Sequence, residues 1–131
     1  MTLDEIETAI GQHLAGMTDC PPIAWPNKDF TPSGTYLEFR HAPNERRDDT
    51  ISGGYAYQIG IALATVVTAR DGFTTEANTV AQKIADRFTK ALRLSAGSGN
   101  VLITAPASPG SGFVDGAYWR QPITISYITE G

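Results

Sequence analysis

The stretch "YAYQIGIALATVVT", residues 55–68, alternates large apolar side chains with small ones along most of its length. Successive side chains of a strand point to opposite faces of the sheet, so the two sets lie on opposite sides of one strand. The large side is formed by Tyr55, Tyr57, Ile59, Ile61, Leu63, Thr65 and Val67, and the small side by Ala56, Gly60, Ala62 and Ala64. The stretch therefore predicts a long strand whose small side lets another element pack closely against it.

Two helices are predicted on either side of this strand, at residues 2–17 and 74–94. Thr2 and Glu5 form a capping-box pattern at the start of the first, in which a hydroxyl and a carboxylate satisfy free backbone amides. Both segments carry apolar residues at three- and four-residue steps, which is the period of a helix with one buried face. In the second helix the side expected to face the sheet contains Val80, Ile84 and Phe88, and the opposite side contains Lys83, Arg87 and Lys90.

Three further strands are predicted from alternating or apolar runs, at residues 35–42, 100–105 and 117–129. The last of these contains Pro122, which cannot donate a ladder hydrogen bond and therefore indicates an edge position or a bulge. Loops rich in proline, glycine or charge are predicted at residues 18–34, 43–54 and 106–116.

The predicted elements follow the order α-β-β-α-β-β, and strands that neighbour in sequence imply a largely antiparallel sheet. The expected fold is an α+β domain with a mainly antiparallel sheet of about four strands and two helices packed on one face. The chain has 131 residues, which is the size of one ordinary domain, so residues 1–131 are expected to form a single domain.

The amino-acid composition and net charge argue against some classes of binding partner. Hydrophobic residues make up 41% of the chain, enough for a packed core, and the net charge of −4 provides no basic stripe for duplex DNA or anionic lipid. No apolar run approaches the length of a membrane span, and the first residues lack the pattern of a signal peptide. The single cysteine, Cys20, fits a reducing cytoplasm and is expected to be a loop thiol without a catalytic role.

Candidate catalytic and metal-binding groups are few and scattered. His13 and His41 have no second histidine, cysteine or carboxylate at ligand spacing, and both are expected at the surface or at the rim. Asp48 and Asp49 are adjacent, but a predicted loop is a poor place to hold two catalytic carboxylates. This shifts the expectation towards a protein whose function lies in a surface.

The predicted loop 43–54 is the first candidate for such a surface, because it is longer than a hairpin needs. It carries Arg46 and Arg47 beside Asp48 and Asp49, two cations next to two anions. Such a patch is suited to a repeated contact between identical copies, so these residues are hypothesised to form an assembly interface. The alternative is that a charged loop tip is only solvated.

A separate feature is the segment "IAWPNKDFTP", residues 23–32. It carries unusual apolar area for a loop, and its prolines keep it from being a helix. Trp25, Asn27 and Phe30 are hypothesised to be loop anchors, with the two rings folded back over one end of the sheet. A position near a neighbouring subunit is the alternative.

Taken together, these segments resemble the phage tail-terminator-like proteins, a family of small proteins encoded among the tail genes of long-tailed phages and prophages. The resemblance covers about residues 3–129 and includes "AWPN", "TYLEFRHAP", "GGYAYQIGI", "ARDGF", "IADRF" and "GAYWRQPITISY". Its most specific parts lie at Trp25, Asn27, Phe30 and Pro32, then at residues 85–88 and 118–123. None of these is a catalytic motif.

The resemblance implies an α+β domain that forms a hexameric ring on the end of the tail tube, stops tube polymerisation and provides the joint to the head connector. It implies no enzymatic activity and no cofactor. Its partners would be further copies of the chain, the tail-tube protein and the head–tail connector protein. DNA would only pass through the ring, and no membrane would be involved. The ring would form in the virion, and the isolated chain would be a monomer.

The implied location is the virion tail, with the host cytoplasm as the site of assembly. Two other functions stay open at this stage. One is another neck or minor tail protein of related fold, and the other is a small α+β ligand-binding domain or enzyme, which would need a pocket with converging polar groups.

Overall fold

The computed structural model describes residues 1–32, 34–53, 56–70, 72 and 74–130. Within them lie two helices, α1 (Leu3–Ala15) and α2 (Thr75–Arg87). The strands are β1 (Ile23–Ala24), β2 (Tyr36–Arg47), β3 (Tyr57–Ala69), β4 (Arg93–Ala96), β5 (Gly99–Ile103), β6 (Ser108–Pro109), β7 (Phe113–Asp115) and β8 (Tyr118–Glu130). Tyr55 of the predicted strand, Gly54 of the predicted loop, and Asp71 and Phe73 of the "ARDGF" segment lie outside the described residues.

The strands form one mixed sheet that curves into a half-barrel, with β1-β2-β3-β8-β5-β4 as the order of neighbours. β6 and β7 also pair with β8, and β1 runs parallel to β2 while the other pairs are antiparallel. The expectation of about four antiparallel strands with two helices on one face is therefore wrong. The short strands β1, β4, β6 and β7 exist because longer strands pair with them, which a local sequence pattern does not record.

The second helix ends earlier than the predicted segment 74–94, at Arg87. Ala91 then adopts a φ of 71°, and its N–H donates to the carbonyl of Ile103 at 2.8 Å, which turns the chain into β4. Gly97, at a φ of 56°, lies in the two-residue turn between β4 and β5. Glycine adopts this left-handed conformation without penalty, so Gly97 suits the turn of this hairpin.

The first hairpin is also longer than predicted, because β2 continues into the predicted loop as far as Arg47. Its register with β3 shifts between Pro43 and Glu45, which leaves Asn44 as the extra residue of a β-bulge. Residues 43–53 are all exposed. They form a projecting strand end and turn, named the β2–β3 arm.

The last strand, β8, lies at the centre of the sheet and not at its edge, so the edge position inferred from Pro122 is wrong. The carbonyl of Pro122 accepts a hydrogen bond from the N–H of Gly110 at 2.7 Å. The nitrogen of a strand residue points to the same side as its carbonyl, here towards residues 110–112, where the chain is not paired as a strand. The missing N–H of proline therefore falls at the break between β6 and β7.

The small side of β3 faces the core, where Ala62 and Ala64 are fully buried. α1 packs against β2, β4 and β5, and α2 against β3, β6 and β8. Ile84 and Phe88 of α2 are fully buried, as predicted, while Val80 is half-buried. Each helix in the described residues has 13 residues, and neither is long and apolar enough to cross a membrane.

Candidate assembly surface and the groups around it

His41, expected at the surface or rim, is buried, with 1% of its side chain exposed. Its Nδ1 lies 3.2 Å from a carboxylate oxygen of Glu7 on α1, and its Nε2 lies 2.5 Å from the hydroxyl of Tyr127 on β8. A neutral imidazole satisfies both contacts when Nδ1–H donates to Glu7 and Nε2 accepts from Tyr127. The sequence expectation was wrong because the partners are 34 and 86 positions away, and no local spacing brings them together.

A carboxylate, an imidazole and a hydroxyl in this order resemble a hydrolase triad, but the hydroxyl is in the wrong environment. Tyr127 is 0% exposed, and burial, with a smaller contribution from Glu7, raises its pKa to about 12. A nucleophile has to reach its substrate and be activated by its neighbours. This cluster instead joins α1 to the sheet through hydrogen bonds.

The buried Tyr127 hydroxyl predicts a loss of stability at high pH. Because the folded pKa of about 12 lies above the usual tyrosine value of about 10, its stabilising contribution is complete below pH 10. It is lost as the pH rises from about 10 to about 12, where the unfolded chain ionises first, so the free energy of unfolding should fall by roughly 2 kcal/mol. Urea titrations at several pH values measure this. Tyr127→Phe should flatten the profile, and Tyr118→Phe, which changes a half-buried ring, should not. Equal profiles for the two variants would contradict the assignment.

The C-terminal ends of the two helices are tied together by His13 and Arg87. Nε of Arg87 donates to the carbonyl of His13 at 2.5 Å, and the His13 ring nitrogen lies 3.1 Å from the carbonyl of Arg87. Each side chain thus caps the last turn of the other helix, where free carbonyls need donors. Arg87 is therefore half-buried and does not simply face solvent, and His13 is half-buried against the ring of Phe88, with 5.0 Å between the ring centroids.

The segment around Trp25 contains a tight turn that "WPNK" encodes directly. The N–H of Lys28 donates to the carbonyl of Trp25 at 3.3 Å, and Asn27 has a φ of 55°. Proline at the second position and asparagine at the third fit a type II turn, whose third residue needs a positive φ. Asn27 therefore shapes the turn.

The two rings of this segment lie at different places on the sheet. Trp25 meets Phe39 of β2 edge-on, with 5.8 Å between centroids, and sits over Gly11 of α1, where an added Cβ would lie 2.9 Å from the ring. It is nevertheless 38% exposed. Phe30 lies against Tyr36, 4.9 Å between centroids. The anchoring role of these residues stays a prediction.

The β2–β3 arm contains Arg46, Arg47, Asp48 and Asp49. The arginines and the aspartates have different surroundings in it. Arg46 is exposed and has no ion-pair partner among the described residues, while Arg47 pairs with Glu45 at 3.4 Å. One carboxylate oxygen of Asp48 accepts from the backbone N–H of Thr50 at 2.9 Å, and one of Asp49 accepts from the hydroxyl of Tyr57 at 2.8 Å. The two aspartates therefore shape the tip, and the arginines are presented outward.

A second charged group, which the sequence did not indicate, lies at the other end of the sheet. Arg120 on β8 bonds to Glu38 on β2 and, at 2.7 Å, to Asp115 on β7. The hydrogen bond to Glu38 raises the pKa of Arg120. These ion pairs hold three strands in register across the outer side of the sheet.

The remaining candidate groups are clusters of metal-ligating side chains and the thiol of Cys20. In the part of the chain that the structure describes, no three side chains of the metal-ligating kind come together. Cys20 is half-buried, its thiol donates to the carbonyl of Pro21 at 3.3 Å, and burial raises its pKa. A raised pKa lowers the fraction of reactive thiolate.

Solved structures share this fold, and two of them match almost the whole chain. One, a chain without a descriptive name, is 26% identical over 100% of this chain and 97% of its own length, with a TM-score of 0.82. The other belongs to the virion of a native gene transfer agent particle and is 18% identical over 96% of this chain and 95% of its own, with a TM-score of 0.71. No curated protein matches the sequence.

The sequence profile of one family matches almost the whole chain, residues 5–127. That family is described as the phage tail terminator protein, a structural protein of the virion tail. The match includes α1, the β2–β3 arm, α2 and most of β8, so it covers the elements that build the sheet and its projections. The chain therefore belongs to the phage tail terminator protein family and is a tail terminator.

Proposed function

We propose that copies of the chain assemble into a hexameric ring on the end of the tail tube, stop its polymerisation and provide the joint to the head connector. The observation that carries the proposal is the family match over residues 5–127. The partners are further copies of the chain, the tail-tube protein and the connector protein, and assembly takes place in the host cytoplasm before the ring becomes part of the virion tail. Residues 1–131 act as one domain in this scheme.

The ring acts without catalysis and without a cofactor. Its role is to present surfaces, and DNA passes through it without being read. The net charge of −4 supports this, because an acidic or neutral protein does not trap the phosphate backbone electrostatically. No membrane takes part in the assembly.

The β2–β3 arm is the proposed contact between neighbouring copies. Arg46 lacks an ion-pair partner among the described residues, and the Arg47–Glu45 pair is about half exposed, so breaking it costs little. Arg46 can therefore form charge-assisted bonds to carboxylates of an adjacent copy, and Arg47 can do so when its pair with Glu45 opens. Asp48 and Asp49 support the contact by holding the shape of the tip.

Electron microscopy of tail tubes tests the terminator function. Purified chain added to growing tubes of its own particle should appear as a ring on one tube end and should stop elongation there. Tubes of unlimited length without end rings, at saturating amounts of folded chain, would overturn the proposed function. Bovine serum albumin at the same concentration controls for non-specific arrest.

Reversing the arm charges tests the proposed contact. Arg46→Glu with Arg47→Glu should leave the monomer folded and abolish capping, giving abnormally long tails or tails without heads, because like charges would face the carboxylates. The matched control is Lys83→Glu with Lys90→Glu, which changes the net charge equally at two exposed positions of the α2 region. Normal tail length and head joining with the arm variant would refute the contact, as would an equal defect in both variants.

A further inference from the structure

One face of the sheet carries an aliphatic surface that the core leaves uncovered. Its members alternate with the core-facing residues of β3, β5 and β8 and form the outer aliphatic patch: Ile59, Ile61, Leu63, Leu102 and Ile128. Each is only partly buried, and none belongs to the core cluster or packs against it. Antiparallel strands with one solvated face usually carry polar residues on that face. An aliphatic patch on it therefore indicates a surface that binds a partner.

The patch is continuous across the strands. Ile59 lies opposite Ile128 of β8, and Ile128 lies opposite Leu102 of β5. Directly opposed side chains of an antiparallel pair are in contact range, so the aliphatic surface runs from β5 to β3. At its margin, around the bulge of β2, lies a groove of about 370 Å³ that Ala42, Ile59, Ile61 and Ser126 help to line.

The tip of the β2–β3 arm carries an exposed apolar side chain that can cover the outer aliphatic patch. Ile51 is fully exposed, with a relative exposure of 107%, the largest among the exposed large hydrophobic residues described. The neighbouring Asp48–Thr50 and Asp49–Tyr57 hydrogen bonds restrain the tip. A preorganised tip loses less conformational entropy when it binds, so an isoleucine held there is suited to insertion into an apolar surface.

We propose that Ile51 of one copy docks onto the outer aliphatic patch of the next copy, near the groove beside Ile61. This inference rests on the proposed function, because it names the surfaces that would meet in the ring. The inserting side chain and the surface that receives it lie at different places on the chain, so contacts between copies run head to tail. Such contacts form a ring when the rotation between neighbouring copies closes. The partner is a second copy because this chain itself supplies both apolar halves of the contact.

The surroundings of the patch fit the anatomy of a protein interface. An apolar centre with a polar rim is the usual arrangement. The Arg120–Glu38 ion pair borders the patch at one end and the Arg47–Glu45 pair at the other, on the same face of β2 and its neighbours. Docking would therefore bury the aliphatic side chains while leaving these charges at the solvated margin.

Cysteine cross-linking on capped tail tubes tests the inference. In a Cys20→Ser background, chains with Ile51→Cys are mixed with chains with Ile61→Cys, bound to tubes and treated with an oxidant. A disulfide forms only when the two Cα atoms approach within about 7 Å. The expected result is a linked dimer in the mixture and none with either chain alone. A dimer of Ile51→Cys with itself would overturn the head-to-tail arrangement.

Side-chain variants supply the second readout. Ile51→Asp should abolish end rings while the chain stays folded, Ile51→Leu should retain them, and Val114→Asp, at another exposed apolar position, should also retain them. End rings that form without any Ile51–Ile61 cross-link, or with Ile51→Asp, would overturn this inference and leave the terminator function standing. Failure of the unsubstituted chain to form end rings would overturn both.

Discussion

Replacing Phe88 with alanine is expected to lower the free energy of unfolding by about 3–5 kcal/mol, the range for truncating a buried aromatic ring. Phe88 is 0% exposed and lies where α2 ends, with its carbonyl accepting from the N–H of Ala107 at 3.1 Å. Its ring meets the ring of His13, so the cavity would open between the two helices. Since domains are stable by only about 5–15 kcal/mol, the variant should be close to unfolding at physiological temperature.

Urea denaturation followed by circular dichroism measures this loss. Val80→Ala is the matched control, because Val80 lies on the same helix and packs against the core while staying half-buried. Its loss should be clearly smaller, since part of the side chain is already in water. A Phe88→Ala variant as stable as Val80→Ala would contradict the packing of α2 described above.

Replacing Gly60 with valine is expected to cost about 2–4 kcal/mol, from overpacking and from a lost buried hydrogen bond. A Cβ at this position would lie 2.6 Å from the hydroxyl of Tyr127 and 3.0 Å from the carbonyl of Ala42. Tyr127 would have to move away from His41, which would leave a buried imidazole nitrogen without its donor.

The control for this substitution is Gly72→Val, because the nearest atom to an added Cβ there is 3.8 Å away. Thermal unfolding of both variants, with Tyr127→Phe and the double variant Gly60→Val/Tyr127→Phe, completes the comparison. The cost of Gly60→Val should be smaller in the Tyr127→Phe background, since the closest clash is with the hydroxyl. Additive costs would show that Tyr127 is not the group displaced.

Several features follow from short stretches of sequence. Thr2 caps α1 as its spacing to Glu5 predicted, with the N–H of Glu5 donating to the Thr2 hydroxyl at 3.1 Å. The periodic apolar residues predicted both helices, and the alternation in residues 55–68 predicted the strand observed as β3 (Tyr57–Ala69). The physical reason is that capping and periodicity depend on neighbours within one turn or one strand, which the sequence displays directly.

The proposed assembly surface was predictable only in part. The charged residues of the arm are exposed, but the sequence predicted a loop at residues 43–47, where β2 continues. Ile51 and the outer aliphatic patch were not singled out, because an apolar residue in a sequence does not reveal whether the fold covers it. Only the burial of the small side of β3 shows that Ile59, Ile61 and Leu63 face away from the core.

The sequence by itself determined the helices, the long central strand and the turn at Trp25, because hydrogen bonds and side-chain periods within a few residues decide them. Tertiary structure alone decided that the second helix ends at Arg87 and that the chain enters β4 at Arg93, that β8 is central despite Pro122, and that His41 is buried between Glu7 and Tyr127. In each of these the deciding partner is distant in the chain, Ile103 for Ala91, Gly110 for Pro122 and Tyr127 for His41. Long-range pairing and burial outweigh a local preference of a few tenths of a kcal/mol per residue, and that is why these positions departed from expectation.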